Sequence, residues 1–283
     1  MSDKFKLAAI QLCSGIVPKA NLLQIEKLVA DATKAGAQYI LTPEMSICFA
    51  GNKKDMAQYI KPFENNQDIK ACADIAKKYG VFLHIGSMSV LADDEADSVD
   101  SEAGAKYYNR SLLFSPKGEL ISFYDKIHLF DASPPNDRPY KESDDYLAGE
   151  RVVVAELGDF KLGLSICYDL RFAALYHKLC EKGAQILAIP AAFTLATGEA
   201  HWEVLLRARA IETGCYIIAA AQGGEHENGR STFGHSMIVD PWGEIVVIKD
   251  DDKSGFILAD IDIGEVERVR KIIPNLENKC FFV

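Results

Sequence analysis

Short apolar runs and segments of helical period follow one another along most of this chain, and that alternation narrows the possible folds more than any other feature. Residues 5–12 form a strand-like run. Leu22, Leu23, Ile25, Leu28 and Val29 then recur at helical spacing, Gly36 stops that helix, and residues 39–42 form a second apolar run. This is a β-α-β unit. The pattern returns with a helix over 65–79 and a strand over 81–86, and again with strands at 161–166, 185–190 and 215–221 separated by helices. Helices that recur between strands cover the faces of a sheet. Hairpins inserted among them make the sheet mixed, which predicts an α/β fold.

The hairpin signal is strongest at Ser115-Pro116-Lys117-Gly118, where proline suits the first corner of a turn and glycine the position needing positive φ. Residues 93–104 are acidic and rich in small side chains, which predicts a surface loop. Residues 130–150 lack any apolar period over about 20 positions, a length more typical of a binding loop or lid than of a simple connection. Residues 223–231 read as a polar loop, 232–239 as one strand, and 200–213 as a helix with a broad apolar face. No linker divides the chain, so residues 1–283 are expected to form one domain with a C-terminal tail.

Composition restricts what such a fold can bind. A formal charge of −10 over 283 residues disfavours a phosphate backbone or an anionic membrane surface, so neither nucleic acid nor membrane is an expected partner. Seven scattered cysteines without a Cys-x-x-Cys pair fit reduced thiols and a cytoplasmic setting. The six histidines are dispersed as well, and no metal-ligand spacing or cofactor motif is present.

Three residues fall where predicted strands end. Glu44 follows Pro43 after the second run, Lys126 follows the second arm of the hairpin, and Cys167 ends the run that begins at Leu162. Strand ends on one side of a sheet can bring together residues distant in sequence. Cys167 sits at a strand-to-helix corner, where amide groups opening a helix favour a thiolate and an oxyanion. The competing reading is a small apolar residue capping a core strand. A thiol is only slightly ionised near neutrality, so a nucleophilic Cys167 needs a base, for which Glu44 is the candidate. Lys126 and the Tyr168 N–H would stabilise the oxyanion, and a second acid, Glu142, would help hold Lys126 protonated. A peptidase using Cys167 with a histidine base is a weaker reading, because no histidine has Glu44's strand-end placement.

Pro43-Glu44, Asp125-Lys126-Ile127-His128-Leu129-Phe130 and Ser165-Ile166-Cys167-Tyr168-Asp169-Leu170-Arg171-Phe172 resemble, in order and spacing, the three motifs of the nitrilase or carbon–nitrogen hydrolase superfamily. The resemblance covers essentially the whole chain. It implies a four-layer α-β-β-α sandwich with mixed sheets, and a catalytic set of Glu44 as general base, Lys126 as oxyanion stabiliser, Cys167 as nucleophile and Glu142 as second acid. Tyr168, Asp169, Phe193 and Thr194 are expected to contact substrate. No metal or cofactor is implied. Members commonly pair through the helices after the cysteine strand, so a homodimer or higher homo-oligomer is expected.

Residues 197–212, 219–222 and 234–243 are similar to the branch that contains deaminated glutathione amidase. The expected activity is hydrolysis of a small-molecule carboxamide, such as deaminated glutathione or a similar α-keto acid amide, to acid and ammonia through a cysteine thioester. The alternatives are an omega-amidase acting on α-ketoglutaramate, an N-carbamoyl amidase, or a nitrilase-like binding protein without turnover. Ala173 departs from the proline many relatives carry after Arg-Phe. Residues 131–146 match neither branch and leave the choice of substrate open.

Overall fold

A computed structural model describes residues 4–92, 106–135 and 137–280, and two six-stranded mixed sheets stacked face to face form its centre. In spatial order the first contains Gly255–Asp262, Lys4–Gln11, Tyr39–Leu41, Phe82–Leu91, Tyr107–Phe114 and Leu120–Asp125. The second contains Ile245–Ile248, Met237–Val239, Tyr216–Ala221, Ile186–Ala191, Phe160–Leu164 and Val154–Leu157. Each has a parallel trio at its centre with antiparallel strands on its flanks. That is the consequence of β-α-β units interrupted by hairpins.

Side-chain alternation along Lys4–Gln11 builds the layers. Leu7 and Ala9 join one buried cluster with Tyr39, Leu41 and the strands of the second sheet. Ala8 and Ile10 point the other way and pack with Ile25, Val29 and Ile75 from the helices Pro18–Lys34 and Gln67–Tyr79. Burying each such aliphatic side chain contributes about 1.5–3 kcal/mol. The helices Ala173–Glu181 and Leu195–Thr213 cover the outer face of the second sheet through Leu179, Trp202 and Leu206. The result is the α-β-β-α sandwich expected from the sequence.

The predicted hairpin forms. Gly118 adopts φ 78° and its N–H donates to Ser115 O at 2.8 Å. At Gly86 the need is space: a Cβ there would lie 2.0 Å from Thr42 O and 2.6 Å from Pro43 O, so only glycine allows the strand Phe82–Leu91 to pass so close to the turn carrying Glu44.

Three expectations are corrected. Residues 232–239 are two strands, Ser231–Phe233 and Met237–Val239, because Gly234 and His235 both take positive φ, 71° and 59°, and turn the chain between them. The polar segment before them is partly ordered, with Gly223–Glu225 pairing antiparallel with Ser231–Phe233. The second covering helix starts at Leu195 instead of Ala200, where Thr194 caps it by accepting from Thr197 N. Residues 130–150 also carry local order, in the paired Asp131–Ala132 and Tyr140–Lys141 and a 3₁₀ turn over Glu142–Asp144. The acidic stretch 93–104 lies outside the described residues.

Candidate active site

Glu44 is held by a turn that cannot slide. Thr42 Oγ1 accepts from Gly86 N at 3.0 Å, Met45 N donates to Ser87 Oγ at 2.9 Å, and Glu44 O accepts from Gln222 Nε2 at 3.0 Å. The next residue, Met45, has φ 54°. Lys126 leaves the strand Leu120–Asp125 with its N–H on Asn109 O at 3.0 Å and its carbonyl accepting from Gly149 N at 2.8 Å.

Cys167 sits at a sharper corner than the one expected. The chain enters a 3₁₀ turn over Cys167–Arg171, and the helix Ala173–Glu181 begins only after it. Cys167 itself has φ 48°, a left-handed conformation that costs a non-glycine residue about 1–2 kcal/mol. Asp169 holds the corner in place. It accepts from Ile166 N at 2.9 Å, Tyr124 Oη at 2.7 Å, His128 N at 3.0 Å and His128 Nδ1 at 2.7 Å.

These turns bring the three strand-end residues together. Lys126 Nζ donates to Glu44 Oε1 at 2.9 Å and to Glu142 Oε2 at 2.8 Å, and the Cys167 thiol lines the same cavity as the Glu44 carboxylate. Lys126 is only 2% exposed. Burial alone would strip its proton, but the adjacent charges of Glu142 and Glu44 raise its pKa well above the usual lysine value, so it is an ammonium. Burial likewise opposes the Glu44 carboxylate. The Lys126 charge, with hydrogen bonds from Cys167, Lys126 and Asn109, outweighs burial and lowers the Glu44 pKa. Burial and the Glu44 charge raise the Cys167 thiol, against the opposing pull of Lys126. The resting site is therefore a carboxylate, an ammonium and a neutral thiol. The field at the corner does not ionise the sulfur.

Glu44, Lys126, Glu142 and Cys167 share a cavity of about 280 Å³, and Tyr168, Phe193 and Thr194 also line it. Asp169 does not. It is fully buried beneath the corner, and the donors that engage its oxygens leave it a scaffold for the cysteine turn instead of a substrate contact. No histidine lines the cavity among the described residues, which removes the base a peptidase reading needs. A second thiol, Cys48, lies in the wall, but burial pushes it up to about 11 and it donates to Ile16 O at 3.1 Å.

One polar residue at the centre was missed. Asn109 Nδ2 donates to Glu44 Oε1 at 2.9 Å and to Glu142 Oε1 at 3.1 Å, tying the two acids together through the same two oxygens that the ammonium engages. The signal available was a polar triplet, Asn109-Arg110-Ser111, inside an otherwise apolar strand. Nor did any motif mark Arg138, Arg171 and Arg230 as residues that line this cavity.

Comparison with known proteins agrees with this geometry. The family model described as carbon-nitrogen hydrolase matches residues 6–271. A Yersinia enterocolitica protein called deaminated glutathione amidase is 40% identical over 279 residues, covering 97% of this chain and 93% of that protein. This chain belongs to the carbon–nitrogen hydrolase family. Among solved carbon–nitrogen hydrolase structures, Saccharomyces cerevisiae Nit3, a member of branch 10 of the nitrilase superfamily, matches with TM-score 0.85 and 27% identity over 98% of this chain and 97% of that one. The Caenorhabditis elegans NitFhit protein matches with TM-score 0.85 and 32% identity over 98% of this chain, which spans 65% of the worm chain. The protein is thus an enzyme of the class that hydrolyses carbon–nitrogen bonds. Among the described residues no helix is long and apolar enough to cross a membrane, and no cluster of three or more His, Cys, Asp or Glu side chains is arranged for a metal ion.

Proposed function

We propose that this amidase hydrolyses a small anionic α-keto acid amide of the deaminated glutathione type, with Cys167 as nucleophile, Glu44 as general base and acid, Lys126 as oxyanion stabiliser and Glu142 as second acid. The observation that carries this reading is that the Cys167 thiol opens into the same cavity in which Lys126 Nζ bonds the Glu44 carboxylate at 2.9 Å. Glu44 takes the thiol proton while sulfur attacks the carbonyl carbon. The oxyanion then develops beside the Lys126 ammonium and the Tyr168 N–H, where a donor of this kind contributes about 3 kcal/mol. Collapse expels the amine, which receives the proton from Glu44. Water activated by Glu44 then hydrolyses the thioester.

The substrate class rests on two supports. Relatives carrying the deaminated glutathione amidase name match nearly all of this chain, and guanidinium groups of Arg138, Arg171 and Arg230 face the cavity of a protein with net charge −10. An anionic ligand is drawn to such a wall. For a substrate with a glutathione-like tail, the leaving group is the amine of that tail, not ammonia. The whole chain is read as one hydrolase domain with a short tail, and the seven free thiols fit a reducing cytoplasm. Pairing of two copies across the helices that follow Cys167 is part of the same reading, supported by Leu195, Val204 and Ile211 standing exposed on one of them.

Steady-state assay of deaminated glutathione, reading release of the tail amine, tests the substrate. Turnover by the wild-type protein and none by Cys167→Ala is the expected result. Faster turnover of a neutral aliphatic amide would reject the anionic substrate class.

A further inference from the structure

The guanidinium of Arg230 is unusual in this protein. Other half-buried or buried arginines are satisfied: Arg110 forks onto Asp125 at 2.6 and 2.9 Å, Arg209 donates to Leu170 O at 2.9 Å and Glu212 at 2.9 Å, and Arg270 donates to Thr213 O at 3.1 Å. Arg230 Nε is shut off from solvent yet has no hydrogen-bond partner, and among the described residues no carboxylate lies within 4 Å of the guanidinium. A buried donor left empty is costly, and the half-exposed remainder of the guanidinium lines two pockets, where a ligand acceptor can reach it.

The side chain is nevertheless held in position. Its backbone is fixed by Arg230 N donating to Asn228 Oδ1 at 2.9 Å and by Arg230 O accepting from His226 N at 2.8 Å. Its guanidinium stacks over Phe49, 4.6 Å from the ring centroid, and over Tyr140 at 5.0 Å. The Tyr140 hydroxyl is anchored on Asp137 at 3.0 Å, and Arg138 lies over the same ring at 5.3 Å. The neighbouring His226 adds no competing positive charge near neutrality, since burial first and then Arg230 itself lower it to about 4. This is a preorganised cation stacked on two rings, with no carboxylate within 4 Å among the described residues, although Asp137 and Glu199 line the same outer pocket.

Its place in the molecule gives it a direction. A second pocket opens outward from the reaction cavity, and Arg138, Tyr140 and Arg230 line both. In amide cleavage the acyl half becomes bonded to the sulfur at the inner end, and the leaving amine can extend toward the outer pocket. We infer that Arg230, assisted by Arg138, selects substrates whose leaving group ends in a carboxylate and receives that carboxylate at the junction of the two pockets. The inference rests on the amidase reading above and adds which end of the substrate the enzyme recognises. A planar guanidinium fork matches a carboxylate through two parallel hydrogen bonds, which a terminal carboxamide cannot replace.

The test uses two α-keto acid amides that share an acyl half and differ only at the tip of the leaving group, cysteinylglycine in one and cysteinylglycinamide in the other. The wild-type enzyme should show a KM about ten- to a hundredfold lower for the carboxylate tip, with similar kcat. Arg230→Leu should bring that ratio to about one, and Arg230→Lys should restore part of it. Equal KM for the two tips in the wild type overturns the inference without need of any variant, as does Arg230→Leu with its preference intact. The same pair titrated calorimetrically into Cys167→Ala separates this inference from the amidase reading. Tip-dependent binding without wild-type turnover keeps the Arg230 assignment and rejects the amidase reading. Turnover without tip preference does the reverse, and neither binding nor turnover overturns both.

Discussion

Asn109 Nδ2 donates to Glu44 Oε1 at 2.9 Å, in the interior of a site where Glu44 also receives Lys126. A carboxylate can only accept, so the amide nitrogen must face it, and Asn109 Oδ1 is left buried without a partner. An orphaned acceptor of this kind persists where the opposite side of the group is needed. Asn109→Ala should lower kcat about ten- to a hundredfold, because Glu44 loses one of the donors that keep it ionised. The acid limb of kcat/KM against pH should also move upward in the variant. An unmoved limb would make Asn109 a packing residue.

The wild-type pH profile follows from the same groups. Glu44 is lowered below the ordinary 4.5, so its base form is complete above that value and is lost as pH falls through the depressed one. Lys126 is raised above 10.5, so its ammonium is complete below that value and is lost only as pH rises beyond it. The expected profile of kcat/KM is a broad plateau whose acid limb lies below pH 4.5. A limb near 6 or 7 would point to a histidine or to a raised carboxylate as the base.

Lys126 stands between two acids whose side chains are 7% and 12% exposed. Lys126→Met would leave those carboxylates facing each other with no cation. Breaking a buried ion pair on one side costs about 3–5 kcal/mol, so the urea midpoint should fall by that equivalent while kcat collapses. Adding Glu142→Gln should recover stability without recovering turnover. Wild-type stability in Lys126→Met would mean the acids are already shared with protons.

The convergence of Glu44, Lys126 and Cys167 on one cavity was legible because each ends an apolar run, and a sheet gathers its strand ends. Asn109 was not legible, since a polar residue inside a strand signals only that something buried must satisfy it. The break at Gly234 and His235 escaped notice for a similar reason: the apolar character of Phe233 and Met237 to Val239 continues across a turn set by backbone torsion alone. Asp169 was expected at the substrate, whereas the 3₁₀ turn that carries it leaves it fully buried in the core.

Asp169→Ala tests that correction. Removing the acceptor shared by Tyr124, His128 and Ile166 should destabilise the protein by about 2–4 kcal/mol and slow alkylation of Cys167, since the corner loses its brace. Normal stability with a raised KM alone would return Asp169 to the substrate.

The most direct measurement is mass spectrometry of the enzyme quenched during a single turnover of an α-keto acid amide. The predicted result is one acyl adduct, mapped to the peptide bearing Cys167, labile to hydroxylamine and absent from Cys167→Ala. An adduct on any other residue, or full turnover by Cys167→Ala, would contradict the account.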